Sequence, residues 1–221
     1  KMKDSGIEWI GKVPEGWGVD RLKFLVSKIN SGVTPTGGAR VYSDEGIPLI
    51  RSQNVHFDGL RLDDVAYTSI EISNTMINAV VKKHDVLINI TGASIGRCTY
   101  VEEEFEKANV NQHVCIIRPK KINYKYLAYY LMSQIGQDQV FSIQMGTSRE
   151  GLNFQQLGDF IVFYPSIQDQ EKAVEYIESK INQIYQTIQK IEEKIELLEE
   201  FKKSLIHHVV TGKVDVRDAI A

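Results

Sequence analysis

The sequence predicts an α+β protein: a mixed globular domain followed by a long coiled-coil-forming α-helix. Three observations carry this. Short apolar runs are separated by turn residues over the first three quarters of the chain. Fifteen of the 16 glycines precede Pro165, which is also the last of the five prolines. Beyond it, apolar residues recur at intervals of three and four with no glycine until Gly212. A boundary therefore falls near Pro165, giving a domain over 1–165 and a helical segment with a short tail over 166–221.

The strand-like runs are Ile47–Ile50, Val86–Ile90, Val114–Ile117 and Phe160–Phe163. Leu127, Tyr130, Leu131 and Ile135 repeat at helical spacing and predict a helix from Tyr124 to about Asp138. A shorter helix is expected from Val19 to about Lys28. Strands and helices do not alternate regularly, which favours α+β over a doubly wound sheet.

The last segment is the clearest signal. Ser166 can cap a helix, with Asp169 three residues on. Ile181, Ile188 and Ile195 lie seven apart, as do Ile177, Ile184, Ile191, Leu198 and Leu205, and the two series interleave into a heptad seam. Lys202 interrupts the first series. Gly212 is placed to stop the helix. From about Gln168 to Thr211 it would run roughly 65 Å, against a radius of gyration of about 15 Å for a domain of this size. Eight apolar seam residues, at roughly 1.5–3 kcal/mol each, call for a second helix to pack against.

Composition removes several classes. The 221 residues carry 26 basic and 29 acidic groups, a net charge of −3, which excludes a uniformly basic nucleic-acid coat. Residues 1–165 hold 18 of each sign, leaving 8 basic against 11 acidic in the remainder. Cys98 and Cys115 make neither a disulfide scaffold nor a zinc finger, and fit a reducing cytoplasm. No apolar run is long enough to span a membrane, and the N-terminus lacks a signal-peptide core. Lysine ahead of methionine suggests a cloning edge or an excised fragment.

No catalytic constellation emerges. There is no GxGxxG, no GxxxxGK[ST] and no HExxH. Thr91–Gly96 lacks the lysine of a phosphate loop and reads as a tight turn between strands. Asn89-Ile90-Thr91-Gly92 is not the Asn-Pro-Pro-Tyr kind of loop that handles a flipped adenine. His207 and His208 face different ways on a helix, and His113 has no second ligand at metal spacing, so no metal site is expected. What remains is polar loop chemistry able to read DNA, since Asn and Gln can pair with adenine and Arg with guanine. The loops concerned are 31–38, 51–54 and 146–149.

At these residues the chain resembles the specificity subunits of type I restriction–modification systems, nearly end to end. Asp4–Trp17 resembles their common opening, and Ser31-Gly32-Val33-Thr34-Pro35 their early G-x-T-P loop. Gly46–Arg51, Asp85–Ile88, Gly92–Arg97, Asn109–His113 and Gly146–Ser148 follow in the family's order. Pro165-Ser166-Ile167-Gln168-Asp169-Gln170 is similar to the P-P-L-x-E-Q helix start, with Ser for Pro, Ile for Leu and Asp for Glu, and Ser204–Arg217 resembles the C-terminal run.

The resemblance implies a non-catalytic target recognition domain joined to a spacer helix, half of a subunit that normally carries two of each: a natural half-subunit, a truncation or an excised half. Residues 212–221 resemble a natural end and Asp4–Trp17 a normal start. It implies double-stranded DNA, modification (methyltransferase) subunits and a restriction subunit as partners in the cytoplasm. No cofactor is expected on this chain; S-adenosylmethionine belongs to the methyltransferase subunit. The unpaired seam predicts a homodimer. The residues expected to contact DNA are Thr34, Arg51, Asn54, Arg97, Thr147, Ser148 and Arg149. Two other readings stay open: a solo DNA methyltransferase, and a coiled-coil assembly protein with an inert head.

Overall fold

The computed structural model describes residues 1–4, 6, 11–34, 38, 42–144 and 151–216. In chain order the elements are β1 (Met2–Asp4), β2 (Lys12–Pro14), β3 (Gly18–Arg21), α1 (Leu22–Leu25), β4 (Val26–Ser31), β5 (Ile47–Ile50), β6 (Val55–His56), β7 (Gly59–Leu60), β8 (Ala66–Thr68) and α2 (Ile70–Thr75). Then come β9 (Val86–Asn89), β10 (Cys98–Tyr100), β11 (Asn109–Val110), β12 (Val114–Pro119), α3 (Tyr124–Met132), α4 (Gln134–Gln144), α5 (Phe154–Gly158), β13 (Ile161–Tyr164) and α6 (Ile167–Val210). The α+β class is as the sequence predicts. The chain divides into two compact units, Lys1–Ala173 and Val174–Ala221, so the first turns of α6 belong to the globular unit.

A four-stranded antiparallel sheet, ordered β10-β9-β12-β4, is the centre of the globular unit. Its middle strands alternate between two cores. Val86, Ile88, Cys115 and Ile117 face one core with Leu127 and Leu131 of α3, Val140 of α4 and Leu157 of α5. Leu87, Val114 and Ile116 face the other, with Leu49, Ile50, Met76, Val81 and Val110. A strand buried on both faces has no polar side to show, which is why β9 and β12 read as unbroken apolar runs. A second sheet, β11-β5-β8, flanks the second core, with β11 parallel and β8 antiparallel to β5.

Two sequence expectations are corrected. The helix expected over Val19–Lys28 shrinks to the single turn α1. Gly18–Arg21 pairs instead with β13, and Val26–Ser31 with β12, so strand pairing takes both ends. The helix expected from Tyr124 to Asp138 is two helices. It breaks at Ser133, which is extended (φ −66°, ψ 162°) and whose hydroxyl donates to Tyr130 O at 2.6 Å. The second helix then continues to Gln144.

Gly32 illustrates a residue dictated by close approach. A Cβ built there would lie 1.7 Å from the carbonyl oxygen of Val110, while the Gly32 N–H donates to Asn111 O at 3.0 Å. No side chain fits without separating two backbones. Gly32→Ala is expected to destabilise the domain by at least about 1–3 kcal/mol, seen as a lowered midpoint in thermal unfolding; an unchanged midpoint would contradict this packing.

In α6 the Ser166 hydroxyl accepts from the Asp169 N–H at 3.3 Å and donates to its carboxylate at 2.9 Å. Gln170, fully buried, donates to Pro165 O and accepts from the Asn123 N–H, both at 2.9 Å. That second bond ties the first turn of α6 to the residue that caps α3. At the far end Gly212 takes φ +73° and the Lys213 N–H reaches back to His208 O at 2.8 Å, a closed C-terminal cap. Between these ends, Ile184, Ile188, Ile191, Ile195, Leu198 and Leu205 are each more than 40% exposed. Ile177 and Ile181 are partly buried.

Candidate functional site

Antiparallel pairing brings the end of β9 and the start of β12 to the same end of the central sheet. The segment Ile90–Arg97, which joins β9 to β10, and His113, which precedes β12, therefore meet there. Ile90 N–H donates to His113 O at 2.9 Å. The Ile90–Arg97 turn reverses through Gly92 (φ +76°) and Gly96 (φ +82°), and closes with Ile95 N–H to Gly92 O and Gly96 N–H to Asn89 O. It is a hydrogen-bonded turn, as its sequence predicts.

Asn89 organises this end. It is fully buried at the last position of β9, and its amide donates to Ser52 O at 2.9 Å and Ser94 Oγ at 3.0 Å. One side chain thus holds the 52–54 turn against the 90–97 turn. A third contributor is the pair of residues flanking 145–150. Gly151 N–H donates to Gln144 Oε1 at 3.0 Å, Gly151 bridges to Thr91, and Leu152 N–H donates to Ile90 O at 2.8 Å. The two turns and His113 border an open concavity of about 570 Å³ lined by Ser52, Gln53, Thr91–Ser94, Arg97 and His113.

The His113 ring sits between Gln112 Nε2, 2.7 Å from its Nε2, and Thr91 Oγ1, 2.6 Å from its Nδ1. With the Gln112 amide donating, Nδ1 carries the proton and gives it to Thr91 Oγ1. Gln53 donates to Asp64 Oδ2 at 2.6 Å, leaving its carbonyl oxygen to accept. Arg97 lines the concavity half-buried, and no described residue binds its guanidinium. The end therefore offers a cation and an amide acceptor side by side.

The residues expected to meet DNA divide on this geometry. Arg97 lines the concavity. Thr34 is exposed just past β4, whose Ser31 lies opposite Cys115 at the same end. Arg51 is half-buried; its Nη2 donates to Asp64 O at 2.9 Å and its guanidinium lies 5.6 Å from the Tyr42 ring centroid. Asn54 is corrected. It is fully buried, its Oδ1 accepting from the Arg51 N–H and its amide donating to Arg61 O and Asp64 Oδ1, so its capacity is spent inside the fold. Thr147, Ser148 and Arg149 lie outside the described residues, although the residues flanking them are held beside Thr91. Ser52 and Gln53 belong to the 51–54 loop singled out in the sequence, but Asn89 does not stand out there as a functional residue. The signal for Asn89 is one amide closing an otherwise apolar strand immediately before Ile-Thr-Gly.

Burial pushes the Cys98 thiol far up and Cys115 to about 12, so neither is a ready nucleophile. Among the described residues no cluster of three His, Cys, Asp or Glu could hold a metal, and no helix is long and apolar enough to cross a membrane.

The model of one protein family, described as the type I restriction modification DNA specificity domain, matches residues 14–197. The chain belongs to this family. As a specificity domain it is 25% identical over 214 residues to the type I restriction enzyme MjaVIII specificity subunit of Methanocaldococcus jannaschii, covering 95% of this chain and 49% of that one. It is 20% identical over 210 residues to the EcoKI specificity subunit of Escherichia coli, covering 92% and 44%. The chain thus spans about half the length of the curated relatives it matches. The fold agrees with the HsdS subunit crystal structure from Thermoanaerobacter tengcongensis (TM-score 0.57, 18% identity, 83% of this chain and 41% of that one). It agrees more closely with a chain from a study of type I R-M complex assembly and conformational transition (TM-score 0.70, 16% identity, 94% and 48%).

Proposed function

We propose that this specificity domain is the DNA-reading half of a type I specificity subunit. It is non-catalytic, and two copies pair antiparallel through the α6 seam. The observation that carries the reading is the convergence of the 52–54 turn, the 90–97 turn and His113 on a concavity that Arg97 lines, at the end of the central sheet where the flanks of 145–150 are held beside Thr91. Two turns from distant parts of the chain, held together by a buried amide and presenting polar groups, suit contact with base edges and phosphates. A solo methyltransferase is not favoured, because the relatives are named specificity subunits. Methyl transfer would fall to modification subunits carrying S-adenosylmethionine, and cleavage to a restriction subunit. The isolated chain is expected to show no binding of that cofactor by calorimetry.

Two identical domains related by a two-fold axis require a target with the same symmetry. Co-expression with the modification subunit, followed by methylation-site mapping, is expected to give an interrupted palindrome. An asymmetric bipartite motif written by this chain and its methyltransferase alone would defeat the homodimeric reading. Arg97→Ala is expected to weaken target binding by about 1–3 kcal/mol if the guanidinium pairs with a base, relaxing one position of each half-site; a phosphate contact would weaken all sequences alike. Unchanged affinity in a titration against the mapped target would remove Arg97 from the site.

A further inference from the structure

The donors and the shape of the concavity beside the 90–97 turn narrow what it can hold. Two reverse turns follow one another there. Ile95 N–H donates to Gly92 O and Arg97 N–H to Ser94 O, both at 3.0 Å, while Gly96 N–H reaches Asn89 O at 2.9 Å. These closing bonds engage the N–H groups of Ile95, Gly96 and Arg97, and leave those of Ala93 and Ser94 outside the turn's own bonding. Both residues line the concavity, and Ala93 is exposed. Arg97 O also accepts from the Asn89 N–H at 2.8 Å, so the guanidinium stem starts from backbone held on both sides. Gly96 is pressed against α4, where a Cβ would lie 3.1 Å from Val140 Cγ1. No carboxylate is among the lining residues. Asp64, the acid that Gln53 touches, takes the Gln53 and Asn54 amides on its two oxygens, and Arg51 donates to its carbonyl. The fully charged side chain that lines the concavity is Arg97.

Shape decides between the two kinds of group that a duplex offers. Base edges lie at the floor of a major groove about 8.5 Å deep, and are reached by an element that projects. Phosphates stand on the outside of the duplex and themselves project. A concavity accepts what projects. We propose that this concavity seats one backbone phosphate, bound by the Ala93 and Ser94 N–H groups and the Arg97 guanidinium. Successive backbone N–H groups in a turn form a nest that suits an anion. Gly92, Ala93 and Ser94 are small, so a phosphate oxygen can approach their backbone. A guanidinium adds charge and a fork of donors that matches phosphate. Such a contact sets register on the duplex and carries no sequence information of its own. The assignment rests on the DNA-reading function proposed for this end of the sheet, and says which part of the DNA the concavity takes.

Two titrations of the full chain test the seat. In the first, sodium phosphate is added at constant ionic strength and backbone amide shifts are followed by NMR. Shifts centred on Ala93 and Ser94 are expected, lost in Arg97→Gln and kept in Arg97→Lys, which retains the charge. Shifts that are absent there, or no larger than those at exposed lysines, overturn the seat even if the chain binds its target selectively. In the second, the mapped target carries a neutral methylphosphonate linkage at one position at a time. One position in each half-site is expected to weaken binding by about tenfold or more, the worth of a hydrogen bond to a charged group. Arg97→Gln should no longer respond to that linkage, should weaken all sequences alike, and should lower the salt slope by about 1 for each domain. Loss of preference at a single base pair instead would make Arg97 a base reader and overturn the proposal. Phosphate shifts without a sensitive linkage would mark a seat for a free anion and overturn the assignment to DNA. Phosphate shifts with no selective duplex binding overturn the reading function and, with it, that assignment.

Discussion

Replacing Arg118 with leucine is expected to destabilise the globular unit by about 3–5 kcal/mol, because it strands a carboxylate with no exposure at all. Arg118 meets Asp85 in a two-point grip, Nε to Oδ1 at 2.7 Å and Nη2 to Oδ2 at 2.8 Å, and also donates to Val80 O at 3.2 Å. Asp85 in turn accepts from the Lys82 N–H at 2.7 Å and so shapes the turn entering β9. The Asp85 carboxylate holds the Arg118 charge above its ordinary range, outweighing the opposing effect of burial. For a unit of this size the loss lowers the unfolding midpoint by roughly 6–20 °C. The pair Arg118→Leu with Asp85→Leu should recover much of that, since replacing a buried ion pair by apolar groups is often near neutral. A single variant that melts with the wild type would show that the pair does not hold the sheet.

Ile188→Asp with Ile191→Asp is expected to turn a dimer into a monomer while leaving the globular unit folded. Both side chains are close to half exposed in the lone chain, at 43% and 54%, and both sit in the seam near the middle of α6. An antiparallel pair buries two such residues from each chain. At roughly 1.5–3 kcal/mol apiece the loss is about 6–12 kcal/mol before the cost of bringing like charges together, more than a 10⁴-fold loss of affinity. Light scattering reads the mass directly. A wild-type chain that stays monomeric at high micromolar concentration would sink the pairing.

What could be read from the sequence follows the range of the interactions involved. The strands at Ile47–Ile50, Val86–Asn89 and Ile161–Tyr164 announce themselves as local apolar runs, and α6 through its seven-residue period; both patterns lie within one element. The two-residue strands β6, β7 and β11 are too short to carry a period. Gly18–Ser31 misleads because its pairing partners, β13 and β12, lie far along the chain. Ser133 breaks a helix with neither glycine nor proline to flag it. At the site the same limit applies. The sequence shows polar groups on loops at Arg51 and Asn54, but not that Asp64 engages both. Nor does it show that Asn89, 37 residues from Ser52, is the clasp.

That clasp separates two duties that many binding surfaces combine. Asn89 and Asn54 turn inward and hold backbone and framework through their amide groups, whereas Ala93 and Arg97 stand on a turn closed by backbone hydrogen bonds. Substitutions at the second group change what is presented and leave the scaffold standing. If the domain reads DNA as proposed, a change of target made through residues so placed proceeds through folded intermediates.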